Sequence, residues 1–558
     1  MDAFRHWHIL QSSGMRSQFS AISDDLFPKA WAEHTPVGWL GLKVDATYPC
    51  LVTIFLHQQG QASKTISEKS CPSGQTIIPL APATECGDRL SYTLTVDGQE
   101  CHSSDDRFAV SWVCNFPPRR VPKLAVVICT CNRELQLQML IAQLIPQIND
   151  VEICVLVNQG QAGLERRLSF AAVDQKFLIV EQENLGGAGG FTRGIMEALA
   201  LPDITHVVLL DDDVQIDQGL FARLKSALVY VDPSTCIGGA MVDIERRDRI
   251  ISLGHNFDAD CAVTQDRVPP AGALLDDPET MIQLENPSRV DFCGWWCFCF
   301  PREAVDRCGL PLPLFIRGDD AEYGLRLARN GFHTIMWPGI YIYHPYLPDQ
   351  SLSWHHFYGQ RNALFCSHLA LGRRSSRAVH RALRGVINAL VLYRYDEAHA
   401  GIAALNAYLQ GAKALDTWSS VDHKALLKHN EVIASTSGGD YISLPLYKSP
   451  LMRTVVTTAR LVGDALRLTD ARPQKIITVT VSSWKPGTIK RPGCIVTVRG
   501  RNSILLRRNP KRLRIELTLF LRLIVGLFLI RSYNNAQLLQ LGTYTWWNER
   551  LRVRPRSS

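Results

Sequence analysis

The chain has 558 residues, 46% of them hydrophobic and 20% charged, with a formal net charge of +7. That length exceeds what one core can organise and implies two or three domains, and the apolar content excludes a disordered or fibrous chain. The charge is too small for a general polycation, and no RNP-like or helix-turn-helix signature is present, so nucleic acid is not expected as a partner.

Met1 to Leu10 carries Arg5, His6 and His8 and lacks the apolar core of a signal peptide, so the expected location is cytoplasmic. From about Gly38 to Val113, short β-prone runs (Leu51 to Leu56, Thr76 to Leu80, Leu90 to Val96) alternate with Pro, Gly, Asp and Ser. That spacing predicts a small β-sandwich over 1–116. The prolines of the stretch 115–122 remove backbone donors and force extended chain, which marks a domain boundary.

A second domain, 117–365, then alternates strand and helix. The predicted elements are strand Leu124 to Thr130, helix Glu134 to Ile145, strands Glu152 to Asn158 and Lys176 to Glu181, helix Phe191 to Leu201 and strand His206 to Asp211. This is the grammar of an α/β, Rossmann-like parallel sheet covered by helices. Between the third strand and its helix lies the glycine-rich run 184–194, a setting in which backbone amides can approach phosphate. Its spacing does not fit G-x-G-x-x-G and an acidic triplet follows, which argues against a dinucleotide enzyme.

That triplet, Asp211, Asp212 and Asp213, ends the apolar run that begins at His206. An isolated acidic triplet is more often a solvated turn. Here three carboxylates gather where a buried strand ends, which is costly unless a cation is expected. In extended chain Asp211 and Asp213 share one face, and two hard oxygen ligands suit Mg²⁺ or Mn²⁺ bridging a nucleotide diphosphate.

Further on, Trp295 and Trp296 read first as core aromatics, or else as a flat platform for a sugar ring. Asp319 and Asp320 open a predicted helix that Gly331 terminates. A carboxylate at such a position can accept a proton from an incoming hydroxyl while its neighbour anchors a sugar. The helix dipole is expected to lower its pKa. His344 ends a β-like run and is a sensible third metal ligand.

The remainder, 366–558, reads as a mainly helical domain interrupted by a β-prone piece from Lys475 to Val498. Its basic cluster (Arg491, Arg499, Arg501, Arg507, Arg508, Lys511, Arg512, Arg514) reads first as a solvated face and second as a contact with an anionic membrane surface. Leu517 to Ile530 is too short to span a bilayer and reads as a buried helix, with an interfacial amphipathic helix as the alternative. The sixteen cysteines lack paired C-x-x-C spacing and are expected to be reduced, mostly buried thiols.

Taken together, Thr130 to Arg133, Asn158 to Gly160, Asn184 to Gly187, the acidic triplet, Gly318 to Asp320 and His344 resemble the family 2 inverting glycosyltransferases of GT-A fold. Within that family they are most similar to the polymerising galactofuranosyltransferases of mycobacterial cell-wall galactan. The resemblance implies a metal-dependent transfer of galactofuranose from UDP-galactofuranose to a growing, lipid-linked glycan; peripheral attachment to the inner face of the plasma membrane, through the late basic cluster, and homo-oligomerisation are separate expectations. It implies that Arg133, Gln159, Asn184 and Asp212 bind the donor and that Asp211, Asp213 and His344 bind Mn²⁺ or Mg²⁺. Asp320 would be the general base, and Asp319, Trp295 and Trp296 would contact the acceptor. His255 stands where the family pattern has an acidic residue, and Gly359 where it has histidine. A rhamnosyl or other nucleotide-sugar transferase of the same fold, and a catalytically weak glycan-binding protein, are the alternative readings.

Overall fold

The computed structural model describes residues 7–13, 25–58, 61–101, 107–168, 176–269, 272–275, 277–285, 289–346, 353–391, 394–427, 476–480, 494–499, 502–506, 509–529 and 535–551. The amino-terminal part consists of two four-stranded antiparallel sheets. Alternate residues of Trp39–Ala46 and Phe108–Cys114 turn inward from one sheet, and those of Cys50–His57 and Arg89–Val96 from the other. They share one core, with Tyr92 edge-on to Trp112 across the sheets at 5.9 Å. Residues 117–123 then carry no regular secondary structure.

The central part is built on a ten-stranded sheet. The labelled strands of this part are β1 (Leu124–Thr130), β2 (Ile153–Asn158), β3 (Phe177–Glu181), β4 (His206–Asp211), β5 (Thr235–Asp243), β6 (His255–Asp258), β7 (Val263–Asp266), β8 (Cys297–Pro301) and β9 (His333–His344). Strands β6 and β7 form a separate hairpin. The principal helices are α1 (Glu134–Leu144), α2 (Gly186–Leu199), α3 (Leu220–Tyr230), α4 (Asp319–Arg329) and α5 (Ser353–Leu371).

Strands β3, β2, β1 and β4 lie side by side and parallel, β8 joins antiparallel to β4 and to β5, and β9 runs parallel to β5. After β3 the chain returns to the other side of β1, so the order reverses between β1 and β4. Their carboxyl ends, Thr130 and Asp211, flank the crevice where open α/β sheets bind ligands. The strands are nearly continuous apolar runs, as burial on both faces requires.

Helix α2 starts at Gly186, five residues before the start expected from sequence, so the glycines lie inside the helix. Close packing explains them. A Cβ on Gly190 would lie 2.1 Å from the Cys129 sulfur, and one on Gly194 2.1 Å from Val127 Cγ1, so the helix approaches β1 as only glycine permits. The carboxyl-terminal part is mainly helical as expected, with α5, Ser376–Val391 and Tyr395–Gln410 packed together, and helices over Pro510–Leu529, Asn535–Gln540 and Tyr544–Leu551. Strands at Ile476–Thr480, Cys494–Arg499 and Asn502–Leu506 account for the β-prone piece.

No described helix is long and apolar enough to cross a membrane. Within Pro510–Leu529, Leu513, Phe520 and Leu523 are buried while Ile515, Leu521 and Val525 are exposed, so the helix is core on one face only. Arg491, Arg501, Arg507 and Arg508 lie outside the described residues.

Candidate active site

Strand β4 delivers Asp211 to the sheet edge, while Asp212 and Asp213 already lie in the following turn, not in extended chain. The separation of faces still holds, for a different reason. The chain beyond the triplet is zipped to β9 by reciprocal backbone bonds of 2.8 Å between Gln215 and Tyr343. That pairing brings His344, the last residue of β9, against the triplet. Ligand atoms of Asp211, Asp213 and His344 lie within 4.8 Å of one another.

His344 Nδ1 sits 2.8 Å from the Pro345 carbonyl and Nε2 3.3 Å from Asp213 Oδ1. The carbonyl accepts the Nδ1 proton, and Nε2 donates its own proton to Asp213; loss of that second proton would turn the Nε2 lone pair toward the carboxylates, the arrangement a metal-ligating histidine needs. Burial and the neighbouring Asp213 push the Asp211 carboxyl up to about 7. Burial also works to raise Asp213, but the hydrogen bond and charge of His344 outweigh it and leave Asp213 lowered. One carboxylate is thus partnered and the other awaits a cation.

Asp212 points the other way. It is buried, accepts from Thr130 Oγ1 at 2.7 Å and from Arg133 Nη1 at 3.2 Å, and so ties the ends of β1 and β4 together. Arg133 Nη1 also reaches Asp213 Oδ2 at 2.5 Å, with about half of its side chain exposed. The guanidinium therefore sits over the acidic edge, within reach of a bound anion.

Gln159 and Asn184 are placed beside this edge but are engaged with the protein. Gln159 Nε2 donates to the Gly186 carbonyl (2.8 Å) and to the Cys129 sulfur (3.0 Å); Oε1 accepts from the Leu185 N–H (2.8 Å) and Gln182 Nε2 (3.0 Å). Asn184 Oδ1 accepts the Gly186 N–H at 2.8 Å. Both amides thus brace the start of α2 beside the edge where they are expected to meet the donor. Gln159 has no side-chain bonding capacity left for a ligand.

On the other side of the crevice the chain 314–318 leads into α4 through left-handed backbone at Phe315 (φ 73°), Arg317 (φ 63°) and Gly318 (φ 80°). For Phe and Arg such angles are strained by about 1–3 kcal/mol each and persist only where surroundings enforce them. The enforcement comes from α5. Buried Asn362 donates from Nδ2 to the carbonyls of Leu314 (3.1 Å), Ile316 (3.0 Å) and Arg317 (2.6 Å), and buried Arg361 donates to Leu314 O (2.6 Å) and steadies Asn362 Oδ1 (2.8 Å). Phe315 stacks on Tyr358 of the same helix at 5.5 Å, and its carbonyl accepts the Ala188 N–H at 3.1 Å. Sequence reasoning missed Arg361 and Asn362; the string Gln360-Arg361-Asn362 within an apolar helix was the available signal.

The strained loop sets Asp319 and Asp320 at the amino end of α4, against the start of α2. A Cβ on Gly187 would lie 3.2 Å from Asp319 Oδ2. Burial, then the charge of Asp320, hold the Asp319 carboxyl well above the usual carboxylate range, and Asp211 adds to the rise, so the two acidic groups sense each other. Asp320 is also raised, by burial, although His255 and the N–H groups of the helix start oppose the shift. The lowering expected from the helix dipole is therefore reversed, because desolvation exceeds it.

Trp296 is half-buried, its Nε1 donating to Gly239 O at 2.9 Å, and its ring lies edge-on to His255. Trp295 is 5% exposed and packs on Phe191 at 5.2 Å in the core, so a sugar platform made by both rings is corrected to Trp296 alone. Gly359 is exposed, with nothing within 4 Å of where a side chain would begin. Among the described cysteines, Cys293, Cys297 and Cys299 are buried in the core of this part. Among the described residues the Asp211, Asp213 and His344 group alone has the geometry of a metal site.

Residues 122–358 match the family described as Glycosyltransferase like family 2. This span is accordingly a family 2 glycosyltransferase domain, and its mixed sheet with the acidic edge is of the GT-A type. The chain is 27% identical over 416 residues to the galactofuranosyltransferase GlfT2 of Mycolicibacterium smegmatis, covering 70% of this chain and 63% of that protein. It is 28% identical over 309 residues to GlfT2 of Mycobacterium tuberculosis, covering 52% and 47%. The chain thus spans less than two thirds of either relative's own length. A solved mannosyltransferase from Pyrobaculum calidifontis, in complex with GDP-Man and Mn²⁺, superposes with a TM-score of 0.31 at 16% identity, covering 56% of this chain and 81% of that one.

Proposed function

We propose that the protein transfers galactofuranose from UDP-galactofuranose to a hydroxyl of a growing, lipid-linked glycan, with inversion at the anomeric carbon. The observation that carries this reading is the convergence of Asp211, Asp213 and His344 at the switch point of the sheet, facing the Asp319–Asp320 turn across the crevice. Mn²⁺ or Mg²⁺ suits the two carboxylates and the imidazole, and when bound supplies Lewis-acid neutralisation of the diphosphate leaving group.

This chain's own residues do the rest. Arg133, held over the edge by Asp212 and Asp213, turns its fork toward the diphosphate oxygens. Gln159 and Asn184 keep the start of α2 in place beneath the donor. The acceptor sugar lies on Trp296 with Asp319 beside it. Asp320 takes the proton of the acceptor hydroxyl as that oxygen bonds to the anomeric carbon and the bond to the diphosphate breaks, so that inversion follows in one displacement. The identity to galactofuranosyltransferases favours galactofuranose over a rhamnosyl donor.

The membrane contact rests on the helix Pro510–Leu529, where exposed Ile515, Leu521 and Val525 alternate with exposed Lys511, Arg514 and Arg522. A face of that composition suits an anionic leaflet and would hold the enzyme against the inner face of the plasma membrane beside its lipid-linked acceptor. The test of the whole reading is UDP release from a panel of UDP- and dTDP-sugars with a galactofuranosyl disaccharide acceptor and Mn²⁺, the product read by mass spectrometry. Release from UDP-galactofuranose with a mass gain of one hexose is expected. Transfer from another sugar only would replace the donor, and acceptor binding without any turnover would favour the glycan-binding reading.

A further inference from the structure

His255, which breaks the family pattern, lies beside the base. It stands on β6 opposite Asp266 of β7, and its Nδ1 is 2.7 Å from Asp266 Oδ1. The backbone is clamped as well: His255 N donates to Phe292 O at 3.0 Å, and its carbonyl accepts from the Asp291 N–H at 3.0 Å. The imidazole stacks on Phe292 (4.9 Å, 26° between planes) and meets Trp296 edge-on at 5.7 Å. Phe292 in turn packs on the first turns of α4, with Ala321, and so closely against Gly324 that a Cβ there would lie 2.4 Å from Phe292 Cβ. One aromatic ring thus fixes the histidine relative to the helix that carries Asp320. Nε2 has only the Ser252 hydroxyl nearby, at 3.3 Å.

We propose that His255, oriented by Asp266, is a positioning residue that keeps Asp320 in its anionic, proton-accepting form on the acceptor side of the site. The inference rests on the function proposed above. Asp266 balances the charge of a protonated imidazole on one side, while Phe292, on which the ring stacks, packs on Ala321 next to Asp320, so that the positive charge is held near that carboxylate and favours its charged form. The other groups that face Asp320 are Asp319 on its own helix, Arg317 on the strained loop, Cys293 before β8 and Cys366 on α5. The thiols are held neutral by burial, and Arg317 is exposed, so that water screens its charge. Burial pushes Asp320 toward its neutral form, and His255 is the foremost influence in the opposite direction.

The experiment is the pH profile of UDP release from UDP-galactofuranose, with Mn²⁺ and the galactofuranosyl disaccharide, for the wild type, His255→Ala and Asp266→Asn. We expect the acid limb of His255→Ala to move up by about one pH unit, lowering kcat about tenfold on the acid side of the limb. Activity should return to near wild type above the limb, and the donor KM should stay unchanged. Asp266→Asn, whose carboxylate is half-exposed and whose loss leaves the core intact, should move the limb the same way by less. A loss uniform across pH, or an unmoved limb in both variants, overturns the inference while Asp320→Asn remains inactive. Near-normal turnover by Asp320→Asn, or a wild type that releases no UDP, overturns the functional reading and this inference with it.

Discussion

The Asp211–Asp213 edge and the Phe315–Asp320 loop are held by different kinds of structure. On the side proposed to hold the donor, every candidate group stands at or just beyond a strand end: Thr130 and Arg133 after β1, the acidic triplet after β4, His344 at the end of β9. Ladder hydrogen bonds place them, and Asp212 and Asp213 are already partnered, while Asp211 is left raised by burial for a cation to meet. On the acceptor side the carboxylates follow a loop with two strained residues, held by a buried Asn–Arg pair reaching in from α5. Its carboxylates are raised by burial instead of being neutralised. The sheet-edge half has the character of a preformed receptor for charge. The acceptor half stores strain and desolvation, the usual condition of a group that must move a proton.

If that contrast holds, the largest effect belongs to Asp320→Asn, which should lower kcat by about 10²–10⁴-fold while leaving Mn²⁺-dependent UDP affinity intact, as measured by calorimetry beside initial rates. Asn362→Ala should come next. It frees three loop carbonyls and lets the strained segment relax, lowering kcat about tenfold and stability by about 1–3 kcal/mol, again without weakening UDP binding. An equal loss of UDP affinity would show that the two halves are one unit.

A smaller effect separates the halves by pH. A carboxyl raised in the folded chain binds its proton more tightly there than when unfolded, so its contribution to stability is present at low pH and lost as pH rises from the ordinary carboxylate range through the raised value. Asp319 has this sign, by burial and then Asp320. Asp319→Asn should therefore raise Tm at pH 8 relative to the wild type and leave it unchanged near pH 4, in melting curves without metal. A destabilised variant at pH 8 would mean that the carboxylate is compensated after all.

The same contrast explains what the sequence disclosed. Apolar runs ending in acid or histidine mark strand ends directly, so Asp211, Asp213 and His344 were legible, as were the β-sandwich and the four parallel strands of the sheet, though not the antiparallel strands that make it mixed. The glycines of α2 were visible but were assigned to phosphate contact, because nothing local reveals that Cys129 and Val127 of β1 come within a Cβ of them. The clamp by Arg361 and Asn362, some forty-five residues beyond the loop it holds, is a tertiary contact that no local pattern encodes. Burial likewise decided the pKa of Asp320 against the local rule of the helix end, and set Trp295 apart from Trp296.

The central claim is that the carboxylates at the sheet edge grip a divalent cation and, through it, the leaving diphosphate. Calorimetric titration of UDP into the wild type and Asp213→Ala, each with and without Mn²⁺, tests it most directly. UDP should bind the wild type at least tenfold more tightly with Mn²⁺ than without, and Asp213→Ala should lose that enhancement. Equal UDP affinity in all four titrations would contradict the account.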